Sequence, residues 1–265
     1  MQTINVRNWR GFERKLTQIR KAESAAGREV EFLFRGQSNS KWPLSTTLER
    51  WGHSTFLFSK YFKLISTVKP QIETFTGRTW GLKSIPEVEA LLCNWDAISL
   101  RTFPDPETYS YMVHLRHHGF PSPLLDWTLS PNVAGYFAFR SNVRPSSGKV
   151  AIYAYSESPN RRHASGSYKP FVRRFGRYVT THKRHFLQQS DYTLSLIFDG
   201  AWRFTHHEEV FAQNDPAQDF LWKFNIPWSE RIEVLKLLDS YNLNAMSLFD
   251  SEEALMQTMA LRELE

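Results

Sequence analysis

The stretch Leu115–Phe139, LRHHGFPSPLLDWTLSPNVAGYFAF, combines a turn, an acid among apolar residues and a helix start in one short run. The glycine and two prolines at positions 119, 121 and 123 interrupt the helical pattern that leads up to His118. Proline and glycine in a helical pattern end the helix, so the chain must turn and continue extended through Leu124 and Leu125. The rest of the chain can be placed against this helix, turn and strand.

Asp126 lies between two leucines and Trp127. A carboxylate in such apolar company is costly to bury unless a cation or several hydrogen-bond donors meet it. Ser130 and Pro131 then form a helix start, with serine as N-cap and proline at the first helical position. On one interpretation Asp126, Thr128 and this helix N-terminus line a polar pocket. On the other, Asp126 only ties the turn together, since structural ion pairs give the same pattern.

Composition indicates a globular protein in a reducing compartment. The 265 residues are 41% hydrophobic and 15% aromatic, which excludes a disordered chain. Cys93 is the only cysteine, so no internal disulfide can form. No apolar run of signal-peptide or membrane-spanning length is present, which predicts a cytoplasmic protein without a membrane partner. With no repeat or linker, we expect a single domain over 1–265, with an N-terminal helix at about 6–22 and a core at about 29–265.

Hydrophobic periodicity predicts an α+β fold, in which a helix-rich N-terminal half packs on a mixed, mainly antiparallel sheet. Strands are predicted at Glu29–Arg35, Lys149–Tyr155, Tyr192–Phe198 and Phe220–Ile226. Helices are predicted at Val6–Ala22, Ser54–Ile72, Ser84–Arg101, Asp105–His118, from Pro227, and at Glu252–Leu264.

The net charge of +6 comes from one segment, Ser158–Ser190, which contains no Asp or Glu. Its eight cations are Arg161, Arg162, Lys169, Arg173, Arg174, Arg177, Lys183 and Arg184, so the remainder of the chain carries 6 − 8 = −2. Aromatic residues are interleaved with these cations. That mixture suits single-stranded nucleic acid or a dinucleotide pyrophosphate. The alternative is a solvated basic loop.

Several short motifs together resemble the FRG-domain family. They are Phe34-Arg35-Gly36-Gln37 with Trp42, Leu44 and Arg50, His117-His118-Gly119, Leu124 to Thr128, Ala134 to Phe139, Gln188-Gln189, Leu221-Trp222 and Ser247 to Phe249. The resemblance covers most of the chain. Arg116 and Ser122 stand where the family pattern has Gln and Thr.

The layout is similar to that of ADP-ribosyltransferases, which implies a sheet of that type and NAD as co-substrate, with no metal. The resemblance implies that Arg35 holds an NAD phosphate, and that Gly36 lets the ligand approach the backbone closely. It places Thr128 under the nicotinamide ribose. Further cofactor contacts are expected from Gln37, His117, Trp127 and Ser130. His117 is also a candidate for acid–base work, although a histidine that caps a turn is the commoner outcome.

ADP-ribosyltransferases present a glutamate on a later strand, and this chain has Gln188, Gln189 and Asp191 at that position. The glutamines can accept a ribose hydroxyl but carry no charge, whereas Asp191 is charged but shorter. Asp126 could supply the charge from the other wall of the site. The run from His206 to Glu209, HHEE, has no metal-ligand spacing and is expected on the surface.

The sequence therefore predicts an NAD-dependent ADP-ribosyltransferase, a bacterial toxin or anti-phage effector that modifies nucleic acid, with RNA favoured. An NAD glycohydrolase toxin is one alternative, and a non-enzymatic RNA-binding module is another. A toxin of this kind would have an antitoxin protein as a possible partner.

Overall fold

The computed structural model describes residues 1–27, 31–92, 103–157, 169–212 and 219–265. Eight strands form one sheet, in the order β1-β8-β4-β2-β3-β6-β5, with β7 also paired to β6. They are β1 Gln2–Asn5, β2 Phe32–Gln37, β3 Leu125–Thr128, β4 Lys149–Ser156, β5 Phe171–Arg174, β6 Ser190–Phe198, β7 Trp202–Phe204 and β8 Phe220–Pro227.

Eleven α-helices lie in the described ranges. They are α1 Trp9–Ala25, α2 Thr47–Arg50, α3 Phe58–Thr76, α4 Ile85–Leu92, α5 Pro106–His117, α6 Pro131–Phe139, α7 Arg184–Leu187, α8 His207–Ala212, α9 Arg231–Ser240, α10 Ala245–Phe249 and α11 Glu252–Leu264. A 3₁₀ turn at Trp228–Glu230 leads into α9. In these ranges no helix is both long and apolar enough to span a membrane.

Every pairing in the sheet is antiparallel except that of β1 with β8. The predicted α+β class with a mixed, mainly antiparallel sheet is therefore confirmed. Helices and strands are less separated along the chain than predicted, because the N-terminal part supplies β1, β2 and β3. The pair of β1 with β8 joins Gln2 to Trp222, a contact between distant segments that local periodicity does not reveal.

Local capping explains why several helices begin where the sequence predicted. Ser130 accepts a hydrogen bond from the Val133 N–H at 3.3 Å, with Pro131 at the first position of α6. Asp105 accepts from the N–H groups of Glu107 and Thr108 at the start of α5. Such caps satisfy N–H groups that a helix leaves unpaired.

The other predicted elements occur with small shifts at their ends. The first helix begins three residues later than predicted, and the second begins at Phe58. The final helix has its predicted bounds. The parts of two predictions that fall on residues 29–30 and 93–101 lie outside the described ranges.

Strand β2 is buried on both faces. Phe32 and Phe34 pack into a core with helices α1 and α6, whereas Leu33 packs on the opposite face with Leu125 and Trp127. Because side chains alternate along a strand, Arg35 follows Leu33 onto that second face.

Gly36 lies on the first face, directly against α6. A β-carbon at Gly36 would lie 1.9 Å from the Ala134 carbonyl oxygen and 2.6 Å from the Ala138 nitrogen. No side chain fits at those distances. The glycine thus allows α6 to pack on β2. The space beside Gly36, which the sequence predicted to be open to a ligand, is filled by the backbone of α6.

The sheet divides between β2 and β3. Their register consists of the single pair Phe34 and Thr128, whereas β2 and β4 pair along six positions from Phe32 to Gln37. One half of the sheet is therefore β1-β8-β4-β2, and the other is β3-β6-β5 with β7. Arg35 comes directly after the point where the halves meet.

Candidate functional site

Arg35 bridges the two halves of the sheet. Its Nη1 donates a hydrogen bond to the main-chain carbonyl oxygen of Asp126 at 2.8 Å. Its Nε is buried and has no hydrogen-bond partner. The predicted neighbours Arg35 and Asp126 are thus brought together, with the carbonyl rather than the carboxylate as acceptor. The Arg35 side chain is half-buried, and its Nε–H keeps hydrogen-bonding capacity that no described protein group uses.

The Asp126 carboxylate is held by Arg116, the last but one residue of helix α5. Arg116 Nη2 lies 2.5 Å from Asp126 Oδ2. Asp126 Oδ1 and Arg116 Nε are both buried without a partner. Each side of this ion pair therefore keeps unused hydrogen-bonding capacity. Arg116 departs from the family pattern, and it is the cation that the sequence led us to expect beside Asp126.

Helix α2 brings a third arginine, Arg50, to the same place. The helix starts with a capping box between Thr46 and Glu49. It is fixed to the turn before β3 by Thr47 Oγ1, which donates to the Ser122 carbonyl oxygen at 3.2 Å and accepts from the Ser122 N–H at 2.9 Å. Arg50 itself donates from Nη1 to the Ser45 carbonyl oxygen at 3.0 Å.

These three arginines form one electrostatic group around Asp126, which we call the arginine cluster (Arg35, Arg50 and Arg116). The pKa of Arg35 is lowered to about 10, mainly by burial. Asp126 opposes this decrease, whereas Arg116 and Arg50 add to it by repulsion. Three guanidinium groups within electrostatic range of one carboxylate leave an excess of positive charge, and a bound anion would relieve that repulsion.

The other residues predicted to contact a cofactor make hydrogen bonds within the protein. Gln37 Nε2 donates to the Pro43 carbonyl oxygen at 3.0 Å, while its Oε1 is buried without a partner. Trp127 Nε1 donates to Thr193 Oγ1 at 2.8 Å from the second face of the sheet. Ser130 caps α6. Of this group, Gln37 shares a sheet face with Arg35 and retains a free acceptor.

The hydroxyl of Thr128 and the two glutamines meet where β3 approaches β6. Thr128 Oγ1 donates to the Gln188 carbonyl oxygen at 2.7 Å, and Gln188 Nε2 donates to the Leu248 carbonyl oxygen at 3.1 Å. Gln189 has a positive φ of 48° and an exposed side chain. These side chains fasten a turn together, and Gln189 is the one left open to solvent.

Asp191, the charged candidate, is fully buried and completely engaged. Its Oδ2 lies 2.7 Å from both Nε and Nη2 of Arg174, and its Oδ1 accepts from the N–H groups of Gly176 and Tyr192. Burial raises its pKa although Arg174 opposes the increase. Asp191 has no exposed surface and no oxygen left for a substrate, so the structure gives it an ion-pairing role, and its catalytic role stays a prediction.

Two of the described cations of the basic segment, Arg173 and Arg174, do not form a free positive surface. Arg174 also pairs with Glu31 at 2.7 Å, and Arg173 Nη1 donates to the Phe103 carbonyl oxygen at 2.8 Å. Both side chains therefore turn into the protein, because acidic and carbonyl groups distant in sequence meet them there. Their assignment to nucleic-acid binding stays a prediction, and their contacts within the protein do not favour it.

The remaining described cations of this segment differ in exposure. Lys169 is exposed, Arg177 is 46% exposed beside Glu31, and Lys183 is 57% exposed and paired with Asp250. Arg184 is half-buried over the Phe249 ring. Arg161 and Arg162 lie outside the described residues.

A chain of ring side chains runs beside Asp126. His117 Nε2 lies 2.8 Å from the Tyr192 hydroxyl, which lies 3.2 Å from His185 Nδ1. His185 Nε2 lies 2.8 Å from the Arg177 carbonyl oxygen. Burial lowers the pKa of His117 to about 4, although Asp126 opposes the decrease, and burial also lowers the pKa of His185.

The run from His206 to Glu209 was expected on the surface, and this is wrong for its central part. His206 pairs with Glu49, and Glu208 Oε1 accepts from the Leu44 N–H at 3.1 Å. His207 is buried, with Nε2 at 2.9 Å from Thr193 Oγ1. The short helix α8 thus closes the second face of the sheet beside Arg35. The sequence around residues 206–209 does not predict this placement, because the contacts join α8 to three distant segments of the chain. In the described part of the chain, no three His, Cys, Asp or Glu side chains are placed to hold a metal ion.

Residues 30–147 match the family model described as FRG domain. The match includes Arg35, Arg50, Arg116 and Asp126, and it ends before Gln188 and the described cations of the basic segment. No curated protein and no solved structure matches the chain. The arginine cluster is therefore contained entirely in the part of the chain that the family defines.

Proposed function

The chain carries an FRG domain, at residues 30–147, and we propose that it is an NAD-dependent ADP-ribosyltransferase in which the arginine cluster binds the pyrophosphate of NAD. The single observation that carries this proposal is that three guanidinium groups lie within electrostatic range of the Asp126 carboxylate, with Arg116 paired to it and Arg35 bonded to its main-chain carbonyl oxygen. Buried guanidinium atoms without partners lie at that point, at Nε of Arg35 and Nε of Arg116.

Phosphate is the anion that such a cluster suits best. A guanidinium offers several N–H donors in a planar fork, and a pyrophosphate offers oxygens to more than one fork at once. Arg35 and Arg116 approach Asp126 from different elements, a strand and a helix. A ligand with two linked phosphates would therefore be held from both walls, which favours a dinucleotide over a single carboxylate.

In this proposal Asp126 supplies the negative charge near the ribose. Cleavage of the bond between nicotinamide and ribose passes through a state with oxocarbenium character, which a nearby negative charge stabilises. Its Oδ1 is buried and unpartnered, so one oxygen is available while Arg116 holds the other. This assignment replaces Asp191, and it leaves Gln189 as the exposed amide nearest in sequence to the predicted glutamate position.

Turnover of NAD by arginine variants tests the proposal. We expect Arg35→Ala and Arg35→Lys both to lower NAD consumption by about 100-fold or more, because lysine cannot reproduce a fork that spans Asp126 and a phosphate. Thermal unfolding should stay cooperative in both. Arg14→Ala, which changes an exposed arginine on α1, is the matched control and should retain wild-type turnover.

The outcomes separate the alternatives. Full activity of Arg35→Lys would contradict a bidentate role. Nicotinamide release without labelled acceptor would indicate NAD glycohydrolase activity. Absence of NAD consumption by the wild-type chain, with RNA binding retained, would indicate a non-enzymatic binding module.

The acceptor is proposed to be nucleic acid, with RNA favoured, and the exposed cations test this. We expect the combined change Lys169→Gln, Arg177→Gln and Lys183→Gln to weaken RNA binding and to lower the slope of log affinity against log salt by about 2, since three fewer phosphate contacts release counterions. Arg173 and Arg174 are left intact because they make contacts within the protein. An unchanged slope would rule out this surface and favour a protein acceptor.

A further inference from the structure

The chain from His117 through Tyr192 to His185 has only one arrangement of protons when both rings are neutral. The Arg177 carbonyl can only accept, so His185 Nε2 carries the proton and donates it. His185 Nδ1 is then an acceptor and takes the hydrogen bond of the Tyr192 hydroxyl. The Tyr192 oxygen in turn accepts from His117 Nε2–H.

This arrangement leaves His117 Nδ1 as a lone pair. No described residue hydrogen-bonds to Nδ1, and this atom is not among the buried unpartnered atoms, so it meets solvent. The lowered pKa values of His117 and His185 keep both rings neutral near pH 7. The groups whose charge or hydrogen bonding acts on the His117 ring are Asp126 on β3, Tyr192 on β6, His185 on α7, His182 before α7, and Arg116 on its own helix.

We propose that His117 is the general base of the reaction, with Nδ1 as the atom that removes the proton from the acceptor, and that Tyr192 and His185 are positioning residues that fix its tautomer. This inference rests on the proposed transferase function. It extends that function, because the sequence left NAD contact and acid–base work both open for His117 and identified neither the atom nor the tautomer.

The acceptor X–H forms a bond from X to C1′ of the ribose, and the bond from C1′ to the nicotinamide nitrogen breaks with its electron pair leaving on neutral nicotinamide. The X–H proton passes to His117 Nδ1. The imidazolium so formed lies in the field of Asp126, which stabilises its charge, and it returns the proton to water.

Two variants, His117→Gln and Tyr192→Phe, and one control variant, His118→Gln, test the role. We expect His117→Gln to lower the kcat of transfer about 100-fold while the KM for NAD changes less than about threefold, which is the range expected for loss of a general base. The decrease of kcat at low pH, which reports protonation of His117, should be absent in this variant. Tyr192→Phe should shift the pH of that decrease, since the phenol no longer fixes the ring. His118→Gln, at the exposed adjacent histidine, should behave like wild type.

Nitrogen chemical shifts of the histidine rings provide a readout that needs no turnover. Full-length protein labelled with ¹⁵N should show His117 as the Nε2–H tautomer, and Tyr192→Phe should convert it to a mixture of tautomers. A dominant Nδ1–H tautomer, or a His117→Gln variant with wild-type kcat, would overturn the assignment. If the wild type consumes no NAD, the proposed function fails and the catalytic role with it, whereas the tautomer measurement still reports separately on the hydrogen-bond chain.

Discussion

Replacing Gly36 with alanine is expected to cost at least about 3 kcal/mol of folding free energy, and the variant should accumulate as insoluble or partly unfolded protein. The added carbon would overlap the Ala134 carbonyl oxygen at 1.9 Å. Relief requires α6 to move away from β2, which would open the core formed by Phe34 and its neighbours. Overpacking against backbone is more costly than against a flexible side chain. Chemical denaturation with circular dichroism detection would measure the loss.

Gly81→Ala is the matched control for this prediction. A β-carbon there would meet only Glu107 Cγ, at 4.0 Å, so the change should alter stability by less than about 0.5 kcal/mol. If Gly36→Ala is as stable as wild type but loses NAD binding, the glycine serves the ligand and not the packing of α6.

Replacing Asp191 with asparagine should destabilise the protein by about 3–5 kcal/mol, because it removes the buried counter-charge of the Arg174 guanidinium and leaves the more exposed Glu31 and Glu157 carboxylates as its partners. The amide also cannot accept both from Arg174 and from the N–H groups of Gly176 and Tyr192, because one of its two terminal atoms is a donor. Urea denaturation measures the effect. Activity per folded molecule should be retained, whereas a catalytic Asp191 would lose activity without losing stability.

A double-mutant cycle with Arg174→Gln isolates the interaction. The double variant should be more stable than the sum of the single effects predicts, since neither charge is then left alone. Asp199→Asn is the control, because Asp199 pairs with Arg203 at an exposed position and should contribute less than about 1 kcal/mol. Additive effects of Asp191 and Arg174 would contradict the ion-pair explanation.

The sequence was sufficient where structure is decided locally. Helix α11 has its predicted bounds because Ser251 caps it, and α6 begins at Pro131 because Ser130 caps it. Strands β5 and β7 were not predicted, since four and three residues give no reliable alternation. Contacts between distant segments decide those short strands.

The candidate site shows the same difference between residues that local sequence identifies and residues that only contacts between distant segments bring together. Arg35 and Asp126 could be selected because each stands out against apolar neighbours. Arg50 and Arg116 were not selected as ligands to the same centre, since only the packing of α2 and α5 on the turn before β3 brings them there. The ion pair of Asp191 with Arg174 is not visible in the sequence, where Arg174 belongs to a basic run, because linear charge does not show which cations are neutralised in space.

The single pair Phe34 and Thr128 makes the sheet mechanically two plates joined at one seam. Arg35 extends from one plate, and Asp126 with Arg116 behind it belongs to the other. A ligand bound to Arg35 and Arg116 together would act as a second fastening across that seam. Ligand binding would then make the whole sheet more rigid, and loss of the ligand would make it less rigid. This coupling does not require the ligand to contact any strand along its length.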